Sequence, residues 1–337
     1  MKKQRLLLFA VFLTCVPGML STHATECSAH TQRPEKRLAM QIAARALLEK
    51  AIQDEKSARF DRAIRRYRLL VNRSVFLRGE EVPKIHFCLA KLLQRRKRLR
   101  QAFNAYQILI TRYPSAKYFN AAIAEQTRIA NFYLEKPDSA FMRVLMSNGE
   151  TAQRMYESIL LSAPFGRYAS LVQFNLCLAH ERQGHVYDAV QGYQTLFEKY
   201  PDSKLASHAQ YQIACIHMRV GLSKYSQDLS VLSKAIDAFH DYLSQYPETR
   251  YKAKILENIE TIKAKLAENI YRIATFYDHR HDYKSAYIYY NEVRHCQPTS
   301  LESILAKIRM AVIDGTVKRP LPVSGLRKQL RPLLKNL

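Results

Sequence analysis

The sequence predicts an all-α chain arranged as a row of antiparallel helix pairs. Three observations carry this. Glycine supplies only 9 of 337 residues, far below the roughly 7% of ordinary chains, and hairpins and phosphate-cradling loops need glycine where φ turns positive or a ligand nears the backbone. Hydrophobic residues make up 47%, enough for a substantial core. Five segments repeat one motif: an Ala, an aromatic residue four positions on, and a Pro twelve positions after the Ala.

The five are Ala102-Tyr106-Pro114, Ala152-Tyr156-Pro164, Ala189-Tyr193-Pro201, Ala235-Phe239-Pro247 and Ala286-Tyr290-Pro298; a sixth, Ala63 with Tyr67, lacks the Pro. Residues four apart share a helix face, so the small Ala admits a neighbouring helix while the aromatic fills the adjoining space. Leu70, Leu109, Ile159, Leu196, Tyr242 and Val293, seven beyond each Ala, continue the stripe. Pro ends the helix, since it has no N–H and restricts the residue before it. Four residues after Pro, Tyr118, Tyr168, Leu205 and Tyr251 anchor the next helix.

This is the pattern of the second helix of a tetratricopeptide repeat. Small residues twelve before the Ala, at Ala51, Ala90, Cys177 and Ala274, mark where first helices would cross closely. The Pro-to-Pro intervals of 50, 37, 46 and 51 exceed the usual repeat length, so insertions such as 136–149 and 220–232 must lengthen loops or helices. Because each pair buries its apolar face only against its neighbours, the expected fold is a tetratricopeptide-repeat superhelix with a concave and a convex surface.

The chain begins with Lys2, Lys3 and Arg5, then an apolar run from Leu6 to Leu13, then Pro17-Gly18 and small or polar residues. That is the layout of a secretory signal, too short to span a bilayer. Two processing sites compete. Phe12-Leu13-Thr14-Cys15 resembles a bacterial lipobox, which would make Cys15 the lipid attachment residue, with Thr standing where Gly or Ala is usual. Cleavage after Ala24 in Thr22-His23-Ala24 would discard Cys15. Either way the product is exported and soluble or lipid-anchored.

With 53 Lys and Arg against 29 Asp and Glu, the net charge is +24, which calls for an acidic partner: anionic lipid, an acidic protein face or nucleic acid. Arg95, Arg96, Lys97 and Arg98 lie between two apolar helical segments and are candidates for contact with a partner or an anionic surface; the tail from Lys318 to Lys335 carries six cations and no acid. Export disfavours nucleic acid, and sequence-blind phosphate contacts would be all such runs offer.

No residue pattern points to catalysis, a metal or a cofactor. The six Cys, at 15, 27, 88, 177, 215 and 296, form no CxxC pair, and Cys88, Cys177 and Cys215 lie on apolar helical stretches as small core residues. His279 and His281 are two apart and do not share a helix face, while His217 and His295 stand beside Cys215 and Cys296 without convergent partners. There is no Gly-rich phosphate loop, nucleophile elbow or HExxH sequence.

The second half resembles a known family. Ala163-Pro164-Phe165-Gly166-Arg167-Tyr168, Gln173-Phe174-Asn175-Leu176, Ala235-Ile236-Asp237-Ala238-Phe239 and Gln245-Tyr246-Pro247-Glu248-Thr249-Arg250-Tyr251 follow one another in the order seen in the BamD (YfiO-like) outer-membrane assembly lipoproteins. The likeness continues through Lys265-Leu266-Ala267-Glu268, Ile270-Tyr271 and Tyr283-Lys284-Ser285-Ala286, covering about residues 146–312. It implies a non-enzymatic periplasmic scaffold, lipid-anchored at the outer membrane, that binds a β-barrel assembly protein and unfolded outer-membrane precursors. Without the lipid the same repeats would suit a soluble periplasmic adaptor for envelope synthesis or division, or a secretion chaperone. The expected organisation is a signal over 1–24, helical repeats over 30–145, BamD-like repeats over 146–313 and a basic tail over 314–337.

Overall fold

The computed structural model describes residues 33–77, 79–136, 147–223 and 228–315. The secretory signal, Cys15, Cys27, the basic tail beyond residue 315 and the expected 145/146 division lie outside these residues. Among the described residues all regular structure is helical: thirteen α-helices and one short 3-10 turn. The helices are α1 (Arg33–Lys56), α2 (Phe60–Asn72), α3 (Glu81–Arg95), α4 (Leu99–Arg112), α5 (Phe119–Glu135), α6 (Asn148–Ser162) and α7 (Ala169–Gln183). They continue as α8 (Val186–Lys199), α9 (Lys204–Gly221), α10 (Ser230–Gln245), α11 (Lys252–His279), α12 (Tyr283–Cys296) and α13 (Leu301–Ile313). Two compact units divide within α5, at Glu125/Gln126. In the first, α1 packs on α2 and α3 on α4; in the second, α7 packs on α8, α9 on α10, α11 on α12, and α13 closes against α12.

The repeat Ala residues, 63, 102, 152, 189, 235 and 286, are all fully buried, as are Ala51, Ala90, Cys177 and Ala274 twelve positions earlier. Small side chains at both positions let the helices of a pair approach closely, and the space beside each crossing is filled by a buried ring: Tyr67, Tyr106, Tyr156, Tyr193, Phe239 or Tyr290. The tyrosine hydroxyls then need acceptors. Tyr67 donates to Glu55 at 3.1 Å, Tyr106 to Gln94 at 3.2 Å, Tyr193 to Glu181 at 2.7 Å and Tyr290 to Asp278 at 3.0 Å, in each case twelve residues back on the partner helix. Tyr156 reaches Asn131, 25 positions back, instead, at 2.7 Å.

The five prolines act identically. The preceding residues, Tyr113, Ala163, Tyr200, Tyr246 and Gln297, cap their helices with φ between −129° and −147° and ψ between 54° and 85°, outside the helical region that a following Pro disfavours. Each accepts an i to i+3 turn bond, with Pro at the second turn position: Ala116 to Tyr113, Gly166 to Ala163, Ser203 to Tyr200, Thr249 to Tyr246 and Ser300 to Gln297.

Within pairs the turn is of another kind. Five residues before the repeat Ala, the chain takes a left-handed conformation at Ala58 (φ 56°), Lys97 (φ 57°), Gly184 (φ 79°) and His281 (φ 62°). The next residue then donates its N–H five positions back: Arg59 to Asp54, Arg98 to Leu93, His185 to His180 and Asp282 to Tyr277. This is the helix ending in which a left-handed residue reverses the chain and satisfies the last carbonyls.

Candidate functional site

No helix among the described residues is long and apolar enough to cross a membrane. An open cleft of about 580 Å3 lies in the second unit, between α9, the end of α10 and the Pro247 turn. Ser207 and His208 come from α9, Tyr242 and Tyr246 from α10 and its cap, and Pro247 to Tyr251 from the turn. Its wall is aromatic. Tyr211 stacks on Tyr251 with ring centroids 4.4 Å apart and planes within 7°, Tyr242 lies 5.9 Å from Tyr211 and 5.1 Å from Tyr246, and His208 meets Tyr251 edge-on at 5.9 Å.

The turn sets the cleft's polar edge. The hydroxyls of Tyr242 and Thr249 are 3.0 Å apart, and Thr249 also accepts the Tyr251 N–H at 3.3 Å, which orients the Tyr251 ring. The exposed Arg250 guanidinium sits 4.8 Å over that ring and donates to its hydroxyl at 2.6 Å. Burial, helped by the neighbouring Cys215 thiol, pushes the Tyr211 hydroxyl above the usual phenol range, so it stays neutral. The cleft thus combines the rings of Tyr242, Tyr246 and Tyr251 with an exposed cation, Arg250, and an exposed carboxylate, Glu248, at its polar edge.

The cation-on-tyrosine pair is itself a repeat feature. Lys117 lies 5.2 Å over Tyr118 and Arg167 5.9 Å over Tyr168, in the two other repeats with Tyr four residues after Pro. A second, less open cleft of about 590 Å3 lies between Leu222, α11 residues Thr261 to Glu268, and Leu301 and Glu302 of α13.

The sequence-predicted residues are distributed as follows. The Ala, aromatic and Pro positions form helix crossings and turns, and Tyr242 and Pro247 also line the aromatic cleft. Arg95 ends α3 and Arg96 to Arg98 form the turn to α4, in the first unit. Arg95 lies 5.2 Å over Phe60, while Arg96 and Arg98 share Asp61 at 3.0 and 3.6 Å. Both pairing guanidinium groups stay nearly half exposed, so these ion pairs contribute little and leave the charge available at the surface. Cys177 is buried, Cys88, Cys215 and Cys296 are partly buried, and all four are free thiols. Burial holds their pKa values above the ordinary thiol range, which disfavours the thiolate form.

Two groupings escape the sequence reading. Tyr211 holds no position in the Ala-aromatic-Pro motif, yet it packs against the cleft-lining Tyr242 and Tyr251; its signal is only an aromatic on the first helix of a pair. His180, His185 and Asp188 come together at the turn between α7 and α8, with one ligand atom from each lying within 4.8 Å of the others. The signal there is a His-X4-His-X2-Asp spacing across Gly184.

No curated protein matches the chain. Among solved structures, it is similar to a thermophilic TPR protein of Thermus thermophilus, at 13% identity over 64% of this chain and 98% of the other, with a TM-score of 0.33. It is also similar to the C-terminal part of a TPR repeat-containing protein from Cytophaga hutchinsonii (13% identity, 84% and 92% covered, TM-score 0.32) and a tetratricopeptide repeat protein from Parabacteroides merdae (12%, 80% and 98%, TM-score 0.31). In the first unit, residues 89–116, which contain the α3–α4 turn, match a tetratricopeptide repeat family. Residues 138–306, half of the chain, hold the aromatic cleft and its supporting helices, and they match YfiO, described as outer membrane lipoprotein. By that match over α6 to α12, this repeat protein belongs to the YfiO outer membrane lipoprotein family.

Proposed function

We propose that this protein is a non-enzymatic periplasmic scaffold in outer-membrane β-barrel assembly, and that the aromatic cleft beside Arg250 receives short extended segments of unfolded barrel precursors. The observation that carries this reading is the stacked Tyr211–Tyr251 pair with the Arg250 guanidinium over it, inside the residues shared with an outer membrane lipoprotein family. Precursor segments that end in an aromatic residue and a free carboxylate would place the ring against the tyrosines and the carboxylate on Arg250. Membrane attachment through an acylated Cys15, with docking on a barrel-assembly protein, completes the proposal.

Two measurements test it. Peptides with a C-terminal aromatic residue should bind the chain as free acids at least tenfold tighter than as amides, and Arg250→Glu should remove that difference while leaving the helical circular dichroism unchanged. Equal binding of acid and amide would overturn the cleft assignment. Co-purification from detergent-solubilised envelopes, with mass spectrometry of the mature N-terminus, should recover a barrel-assembly protein and an acylated Cys15. A chain starting at Thr25 that recovers wall-synthesis proteins would identify a soluble adaptor instead.

A further inference from the structure

The turn between α7 and α8 is built like three others among the described residues, and its side chains differ from theirs. Gly184 ends α7 in the left-handed region, and the His185 N–H donates to the His180 carbonyl at 2.9 Å. That bond brings residues five apart into contact at the helix end. In the first repeat the same two positions hold Asp54 and Arg59, which form an ion pair at 3.4 Å. In the α3–α4 and α11–α12 turns they hold Leu93 with Arg98 and Tyr277 with Asp282. Here they hold two imidazoles, with ring centroids 6.1 Å apart. Asp188, in the first turn of α8, adds a carboxylate where the other three turns carry Arg62, Gln101 and Ser285.

We propose that His180, His185 and Asp188 bind one divalent transition-metal ion of the Zn2+ class, which staples the end of α7 to the start of α8. Two neutral imidazoles and a carboxylate are the donor set of borderline ions such as Zn2+, Co2+ and Ni2+, whereas Ca2+ and Mg2+ require oxygen ligands throughout. The donor atoms already lie within 4.8 Å of one another. A tetrahedral ion with bonds of about 2.0–2.1 Å needs them about 3.3 Å apart. His185 and Asp188 are exposed and close that gap by side-chain rotation, while the backbone bond between His185 and His180 stays in place.

A second observation points the same way. Nδ1 of His180 is buried and has no hydrogen-bond partner among the described residues, a condition that costs free energy unless something satisfies the ring. Three protein donors leave a fourth position for water or for a carboxylate of a bound chain.

The test is Zn2+ titration of the untagged, metal-stripped full chain by calorimetry, paired with Co2+ absorption and thermal melts. The wild type should take up one more equivalent of Zn2+ than either His185→Ala or Asp188→Asn. Zn2+ should raise its melting temperature while leaving both variants unmoved, and Co2+ should give d–d bands without a thiolate charge-transfer band. Asp188→Asn is nearly isosteric and exposed, so it keeps the test decisive if His185→Ala folds poorly. Equal stoichiometry in wild type and variants, no uptake by the wild type, or thiolate bands from cysteine ligation would each overturn the proposal.

Discussion

Tyr290 donates its hydroxyl proton to Asp278 at 3.0 Å, and the same carboxylate takes the fork of Arg309 from α13, with Nη2 at 2.8 Å from Oδ1. Three helices thus meet at one buried anion. Burial pulls the Asp278 carboxyl upward, but the hydrogen bonds from Arg309 and Tyr290 and the Arg309 charge outweigh it and hold the group below the usual carboxylate range. Asp278→Ala should destabilise the second unit by about 2 kcal/mol in urea denaturation, less than a fully buried pair because Arg309 keeps some solvent contact. Tyr290→Phe should cost about 1 kcal/mol. Since the folded pKa is depressed, the stabilisation is complete above the unfolded value of about 3.9 and fades as pH falls below it. Asp278→Asn should therefore flatten the loss of stability below about pH 4; an unchanged acid limb would show that the carboxylate holds nothing together.

The left-handed turns predict gains. Ala58, Lys97 and His281 adopt φ values of 56°, 57° and 62°, where a Cβ costs roughly 1–2 kcal/mol. Glycine removes that strain but adds unfolded-state entropy, so each of Ala58→Gly, Lys97→Gly and His281→Gly should stabilise by about 0.5–1 kcal/mol. Lys97→Gly also removes a charge from the basic run, so unchanged binding to anionic vesicles alongside the raised melting temperature would assign Lys97 to the turn alone.

Gly192 predicts a loss for a nominally helix-favouring change. A Cβ there would lie 2.6 Å from the Cys177 sulfur, and Gln173 already donates to the Gly192 carbonyl at 3.1 Å. Gly192→Ala should destabilise by about 1–3 kcal/mol despite the better helix propensity of Ala. The cost should shrink by more than half in a Cys177→Ala background, because the smaller side chain vacates the clashing volume. Additive effects in that double-mutant cycle would refute the contact as the cause.

His86 predicts a pH dependence for the first unit. It is 3% exposed, its Nδ1 has no partner among the described residues, and burial followed by the positive charge of Arg112 pushes its pKa below the usual histidine value. A depressed folded pKa means that stability is complete above the unfolded value of about 6.5 and is lost as pH falls through it towards the folded value. The melting temperature of His86→Leu should fall less than that of the wild type between pH 7 and 5. Burial also lowers His180 and His217, so the residual slope belongs to them and only the difference between profiles reports His86.

The helix pairs, the Pro-ended helix termini and the crossing residues were legible in the sequence because a repeat array places sequence neighbours beside one another in space. A small residue, a ring four positions on and a helix-ending Pro state a local geometry that needs no distant partner, which is why Ala102, Tyr106 and Pro114 could be placed from spacing alone. The second-half family likeness was legible for the same reason, carried by ordered local motifs around Pro164 and Pro247. Tertiary structure alone decided the rest. Tyr211 and Tyr251 stack across 40 positions, Arg309 reaches Asp278 across 31, and His180 meets His185 and Asp188 through a turn whose hand is set by Gly184. Helical periodicity states which face a side chain occupies; it does not state how far an insertion displaces the next pair or into which rotamer a long side chain settles, and those two quantities position the cleft and the histidine cluster.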